Sequence, residues 1–399
     1  MKKISWSVIT AILLAAFVIS CQTPVKKKEK YSVWMAKSEM KRFPEVWMLD
    51  FSKKPKWGYC QGIGMKAMLD VFDVTGDSSF LHYVIAFGDT IIKPDGTIRT
   101  YKMSDYNIDK INAGKALFRL YKITGDEKYK IAMDTLRSQM KTHPRTSEGG
   151  FWHKKRYPHQ MWLDGLYMAS PFLAEYGATF NEPELFNDVS NQLLLMAKVS
   201  YDKETGLFYH AWDESKEQKW ADKKTGLSPN FWGRSIGWYA MALVDAMDFL
   251  PDTLETRDSI IKVIGKMAAG IKKYQDGKTG LWYQVTDQGG REGNYLEATS
   301  SSMFLYFLYK AVRKGYISAE YLQVANKGYN GLINNLIKEK EDGTISLTQC
   351  CAVAGLGGDP YRDGSYEYYI GETIRDNDPK GTGPFIWASL EKEMLDNQK

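Results

Sequence analysis

Beyond residue 30, apolar residues recur along this chain at spacings of three and four, the pattern of helices that bury one face. About twelve segments carry it: roughly Tyr31–Arg42, Trp57–Val74, Phe80–Ile92, Asn107–Ile123, Glu127–Met140, Met161–Tyr176, Pro183–Val199, Phe231–Phe249, Thr256–Tyr274, Tyr295–Val312, Ala319–Ile337 and Pro384–Leu395. Short connectors recur as Val74-Thr75-Gly76-Asp77 and Ile123-Thr124-Gly125-Asp126. In each, a glycine ends one helix and an aspartate caps the next. Longer connectors carry glycine, aromatic rings and charge, as in Gly149-Gly150-Phe151-Trp152, Thr205-Gly206-Leu207-Phe208-Tyr209-His210 and Thr279-Gly280-Leu281-Trp282-Tyr283. They predict tight turns that lead into short extended pieces.

Twelve helices in six pairs predict two concentric rings, an all-α (α/α)6 barrel (a double toroid) in a single domain. The long loops would gather at one face and build a site there. An open helical solenoid is the alternative, with shorter and more uniform repeats.

The first twenty residues break the pattern. Met1-Lys2-Lys3 is a basic start, and Ile4 to Ile19 is mostly apolar and short for a membrane span. Val18-Ile19-Ser20-Cys21 resembles a bacterial lipobox, so residues 1–20 are expected to be a lipoprotein signal peptide removed before Cys21. Residues 21–35 read as a solvated tether, and 36–397 as the (α/α)6 catalytic domain. The expectation is an exported lipoprotein, on the periplasmic side or at the cell surface. It would touch membrane only through a lipid at Cys21.

The net charge of +5 carries no Lys/Arg stripe at helical spacing, so nucleic acid is not an expected partner. No obligate protein partner is evident. Cys60, Cys350 and Cys351 show neither a CxxC pair nor zinc-finger spacing, and they are expected to be three buried thiols. His153, His159 and His210 form no HxxxH or HExxH pattern, and no glycine-rich phosphate loop is present. No metal and no cofactor are therefore expected.

Candidate chemistry centres on Phe151 to Tyr176, which surrounds Asp164 with Trp152, His153, Lys154, Lys155, Trp162 and Tyr167 at a helix start. A carboxyl partly stripped of water between rings keeps its proton longer and can act as an acid near neutral pH. Flat rings offer faces on which sugars stack. Asp109, in Asn107-Ile108-Asp109, reads as a helix cap or as a second active-site carboxylate. His210, between Tyr209 and Trp212, is expected to contact a sugar. Arg234, in FWGRSIGW, can fork onto a carboxylate. Gly233 and Gly237 lie one turn apart and would let a substrate or another helix approach. Lys155 reads as a solvated lysine. The mix of Arg, Lys, His and Trp points to an acidic sugar.

Five motifs in order, HKKRYPHQMWLDGLYM, FYHAW, FWGRSIGW, YLEATSSSM and GLGGDPYRDGSYEYYI, resemble the unsaturated rhamnogalacturonyl and glucuronyl hydrolases of glycoside hydrolase family 105. The last is expected to form a rim or lid too polar for the core. The resemblance covers about Trp57 to Ile386 and implies an (α/α)6 barrel. It implies that Asp164 is the general acid/base and Asp109 the second active-site aspartate. It puts His153, Lys154, Trp162, His210, Arg234, Trp238 and Tyr59 at substrate-contact positions. It implies a hydrolase that releases a 4,5-unsaturated uronic acid from the non-reducing end of lyase-made oligosaccharides, with unsaturated galacturonyl-rhamnose from rhamnogalacturonan as default. The other readings are a polysaccharide lyase or conventional glycosidase on the same toroid, or a glycan-binding lipoprotein without catalysis.

Overall fold

The computed structural model describes residues 29–397. The leader, Cys21 and residues 21–28 of the tether lie outside the described residues. Tyr31–Lys399 forms one compact unit. It begins earlier than the expected boundary at 36, because Ser32 donates its hydroxyl to Glu393 at 2.8 Å and is itself buried.

Thirteen helices are described: α1 (Tyr31–Arg42), α2 (Tyr59–Thr75), α3 (Ser78–Ile91), α4 (Lys115–Thr124), α5 (Glu127–Thr142), α6 (Leu163–Phe180), α7 (Glu184–Ser200), α8 (Gly233–Ala246), α9 (Arg257–Lys273), α10 (Ala298–Arg313), α11 (Tyr321–Gly331), the short α12 (Tyr366–Gly371) and α13 (Pro379–Asp396). The stop and cap chemistry is as expected. Gly76 and Gly125 end α2 and α4 in the left-handed region at φ 70° and 68°, where a side chain would be strained. Asp77 and Asp126 accept from Ser79 N and Lys128 N, each at 3.0 Å, and start α3 and α5.

Helices α2, α4 with its preceding turn, α6, α8, α10 and α13 pack each against the next, and α13 returns to α2 to close an inner ring. Helices α3, α5, α7, α9, α11 and α1 back them from outside, each against its inner neighbour. This is the (α/α)6 barrel. Among the inner helices α8 is buried on every side, so its sequence GRSIGWYAMALVDA carries almost no charge. Consecutive inner helices are separated by one returning outer helix, so they run in parallel. Their N-termini gather at one mouth, where the helix dipoles favour negative charge.

Three segments depart from the periodic pattern. Asn107–Ile123 divides into tight turns over Ile108–Gly114 followed by α4. A Cβ on Gly62 would lie 2.5 Å from the Ala113 backbone, so close packing against α2 fixes this path. The Ala319–Ile337 segment leaves the α-helix at Gly331, passes through a wider turn and enters a hairpin of Ile337–Glu339 with Ile345–Leu347. The last helix starts at Pro379 and not at Pro384, because Asp378 caps it by accepting from Lys380 N at 2.9 Å. Cys60, Cys350 and Cys351 are buried free thiols.

At the far mouth, a cavity of about 280 Å³ is lined by Lys66, Lys115, Glu175, Asp245 and Lys310, among others. Burial pushes the Glu175 carboxyl up from 4.5 to about 8, against the pull of Lys66 and Lys115. A carboxyl whose folded pKa is raised contributes stability below its unfolded value and loses it as pH rises through the folded one. Glu175 should therefore cost stability progressively between pH 4.5 and about 8. The expected result is that the Tm of Glu175→Gln, relative to wild type, rises across that interval in thermal melts. A flat difference would remove the assignment.

Candidate active site

The near mouth is built by a two-stranded ribbon. β1 (Gln160–Trp162) pairs antiparallel with β2 (Ala211–Asp213), Trp162 opposite Ala211. Leu163 N donates to His210 O at 3.0 Å as the chain turns into α6. This places Asp164, in the first turn of α6, beside His210, although 46 positions separate them. His210 Nε2 lies 3.1 Å from Asp164 Oδ2. Neither atom has an aligned hydrogen bond, so the contact is one of proximity. On its other side, His210 Nδ1 is 2.7 Å from the Tyr369 hydroxyl. Burial pushes the Tyr369 phenol well above its usual range, so it stays protonated. The phenol thus occupies the Nδ1 side of the ring, and Nε2 is the nitrogen on the Asp164 side.

Asp164, its side chain 14% exposed, opens into a cavity of about 210 Å³. Tyr59, Asp109, His153, Lys154, Trp162, Arg234 and Trp238 share the wall, so eight of the nine residues singled out from sequence meet in one place. The ninth, His210, is fully buried and backs Asp164.

Asp109 is held by Lys154 Nζ at 2.5 Å and by His153 Nε2 at 3.4 Å. Burial pushes its carboxyl up, but Lys154 and then His153 outweigh this and hold it below its ordinary value. Asp109 is thus ionised at neutral pH. Burial pushes His153 down from 6.5 to about 4, so it is neutral there despite Asp109. Lys154 is consumed by this pair and adds no free charge to the cavity. Trp162 stacks on His153, ring centroids 4.4 Å apart, and on Tyr157 at 5.1 Å.

Arg234 opens α8 and is 1% exposed. Its guanidinium lies 4.5 Å from the Trp232 ring centroid and donates to Cys351 O. No carboxylate of the described residues lies within ion-pair distance, and Nε has no partner. Nearby Glu297 is already committed as the α10 cap, accepting from Thr299 N at 3.0 Å, Ser300 N at 2.6 Å and Cys351 N at 2.9 Å. Gly233 and Gly237 serve helix packing rather than substrate, since Cβ atoms there would meet Ser300 at 3.0 Å and Met303 at 2.7 Å on α10.

Other wall residues were not singled out: Tyr157, Trp232, Arg362 and Lys380. Trp232 lies inside a motif already read, one residue before the helix, and stacks on Tyr369 at 5.8 Å. Tyr369 and Arg362 sit in the expected rim. That segment is less polar in place than in composition, because Leu356, Tyr366 and Tyr369 are buried in it. Lys380 lies far along the chain with no local signal; it bonds Asp378 and packs near Tyr59. Among the described residues no group of three His, Cys, Asp or Glu is arranged to hold a metal.

Tyr369→Phe should keep the fold and lower kcat about three- to tenfold, the worth of one positioned hydrogen bond. KM should change little. A kcat equal to wild type would mean that His210 needs no partner.

A barrel with one carboxyl against a buried imidazole, a carboxylate clamped by lysine, stacked rings and a waiting guanidinium defines a glycoside hydrolase. The family model described as Glycosyl Hydrolase Family 88 matches residues 31–396, and the chain belongs to that family. A glycoside hydrolase from family 105 of C. acetobutylicum ATCC 824 superimposes with a TM-score of 0.89 at 46% identity, over 92% of this chain and 100% of that one. The expected kinship with family 105 is thereby shown. Protein Atu3128 of Agrobacterium fabrum is 39% identical over 57% of this chain and 99% of its own. The unsaturated rhamnogalacturonyl hydrolase YesR of Bacillus subtilis is 24% identical over 81% of this chain and 86% of its own.

Proposed function

We propose that this enzyme removes a 4,5-unsaturated uronic acid from the non-reducing end of lyase-made oligosaccharides by hydrating the C4=C5 bond. One observation carries the reading: Arg234 is a buried cation without a carboxylate partner among the described residues, in the wall of the cavity that holds Asp164. A buried guanidinium is costly unless an anion answers it. A substrate carboxylate supplies that anion and is bound in a bidentate fork.

The sequence of steps follows from the double bond, which is an enol ether. Asp164 gives its proton to C4, and the π electrons form the new C–H bond. Positive charge develops at C5 and is shared by the ring oxygen. Asp164, now a carboxylate, takes a proton from water as its oxygen bonds to C5. The hemiketal breaks its C5–O5 bond to give a C5 ketone. The hemiacetal left at C1 then expels the partner sugar. One carboxyl thus serves as acid and then as base. Asp109, kept ionised by Lys154, can only accept hydrogen bonds, which suits the holding of a sugar hydroxyl. Two acid/base carboxylates facing one bond, as conventional inversion needs, are not required.

The sugar proposed after the uronate is rhamnose, from rhamnogalacturonan; the relation to the Bacillus subtilis hydrolase supports this. The test is incubation with lyase-made unsaturated disaccharides while the ultraviolet absorbance of the double bond is followed. Decay is expected. Growth of absorbance on intact polymer would mean a lyase, and binding without turnover a glycan receptor. Export as a lipoprotein anchored at Cys21, to the periplasmic side or the surface, belongs to the same proposal. Mass analysis of the mature N-terminus checks it.

A further inference from the structure

We propose that the groove beside the catalytic cavity is a second subsite, which binds a carboxylate or sulfate on the leaving part of the substrate. The inference rests on the function proposed above and adds its substrate preference.

The cavity at Asp164, about 210 Å³, is smaller than the roughly 300–1,000 Å³ of pockets that enclose a whole ligand. It suits one sugar ring, so the remainder of an oligosaccharide must lie outside it. A groove of about 470 Å³ adjoins, lined by Ser104, Asp105, Asn107, Lys154, Lys155 and Arg156. Lys154 and Arg156 line both spaces, so the two are neighbours. Lys154 is spent on Asp109 at 2.5 Å. Lys155 and Arg156 are not: both are exposed, and neither has a carboxylate partner among the described residues. Each has an aromatic ring nearby, the Lys155 ammonium 5.7 Å from the Tyr106 centroid and the Arg156 guanidinium 4.9 Å from that of Tyr157. Asp105 is the one acidic side chain in the wall and offsets part of this charge. The helix N-termini gathered at this mouth add to the positive potential. Lys155, read from sequence as a solvated lysine, therefore stands in a groove beside the cavity that the outgoing sugars can enter.

The experiment compares kcat/KM for three substrates that share the same unsaturated end. One is a disaccharide with a neutral leaving sugar. The second is a tetrasaccharide with a further uronate, and the third a disaccharide with a sulfated leaving sugar. Wild type should favour at least one anionic substrate about three- to tenfold, the sum of two exposed ion pairs. Which of the two is favoured distinguishes carboxylate from sulfate. In Lys155→Ala/Arg156→Ala the ratio should fall to near one, and 1 M salt should do the same to wild type. Equal rates on all three, or a ratio that survives the double substitution, would overturn the proposal. Isothermal titration of the same oligosaccharides into Asp164→Asn reads the subsite without turnover. Absence of turnover on any substrate would sink the proposed function, whereas charge-independent binding in the titration would sink the subsite.

Discussion

Replacing Asp164 by Asn is expected to lower kcat on unsaturated disaccharides by about 10³-fold or more while the melting curve stays at the wild-type position. A positioned acid or base contributes about 10²–10⁴-fold, and here one group supplies both proton transfers. The substitution keeps the shape of the side chain, and Asp164 takes part in no aligned internal hydrogen bond that its loss would orphan. Amide and carboxyl bind a sugar similarly, so Kd should change far less than kcat. Loss of double-bond absorbance checks the rate, and circular dichroism checks the fold. A variant within tenfold of wild type would transfer the acid role elsewhere. Asp109 is a poor heir, since Lys154 and His153 keep its proton off.

Arg234→Met should reduce kcat/KM by about 10²–10³-fold, mainly through KM. Removing one member of a buried charge pair costs roughly 2–5 kcal/mol. The loss should depend on the substrate's charge. With the uronate methyl-esterified, wild type should be slowed by a similar factor, and Arg234→Met should barely distinguish ester from acid. This double cycle isolates the guanidinium–carboxylate pair from packing effects. Arg234→Lys should fall between, because an ammonium keeps the charge and loses the fork. If the variant discriminated ester from acid as wild type does, the substrate carboxylate would sit elsewhere. Of the cavity's other cations, Lys154 is committed to Asp109 and Lys380 to Asp378 at 2.8 Å, which leaves Arg156 and Arg362, without a carboxylate partner among the described residues, as the alternatives.

Helix identity was legible wherever burial was one-sided or complete over a long run, and all twelve periodic segments became helices. Their ends were legible where a glycine and an aspartate carry the chemistry, as at Gly76-Asp77 and Gly125-Asp126. The readings failed where a distant neighbour sets the path. Ile108–Gly114 takes tighter turns because Ala113 lies against Gly62. The start at Pro384 missed a local signal instead, Asp378 as a cap with Pro379 in the first turn.

The site divides in the same way. By itself the sequence determined which side chains carry chemistry, since short motifs at helix starts are local: Asp109, Asp164 and Arg234 could be named from their neighbours. It also pointed to the barrel, because twelve helices in six pairs with long loops between them have few other ways to bury their faces. Only the tertiary structure decided who faces whom. The β1–β2 ribbon sets His210 behind Asp164 rather than in the wall. The rim brings Tyr369 to that same imidazole across 159 positions. Lys154 became the partner of Asp109 and left Arg234, in the same wall, without a carboxylate partner among the described residues. Charge pairing acts through space over a few ångströms, and the order of residues along a chain fixes such distances only after the ring has closed.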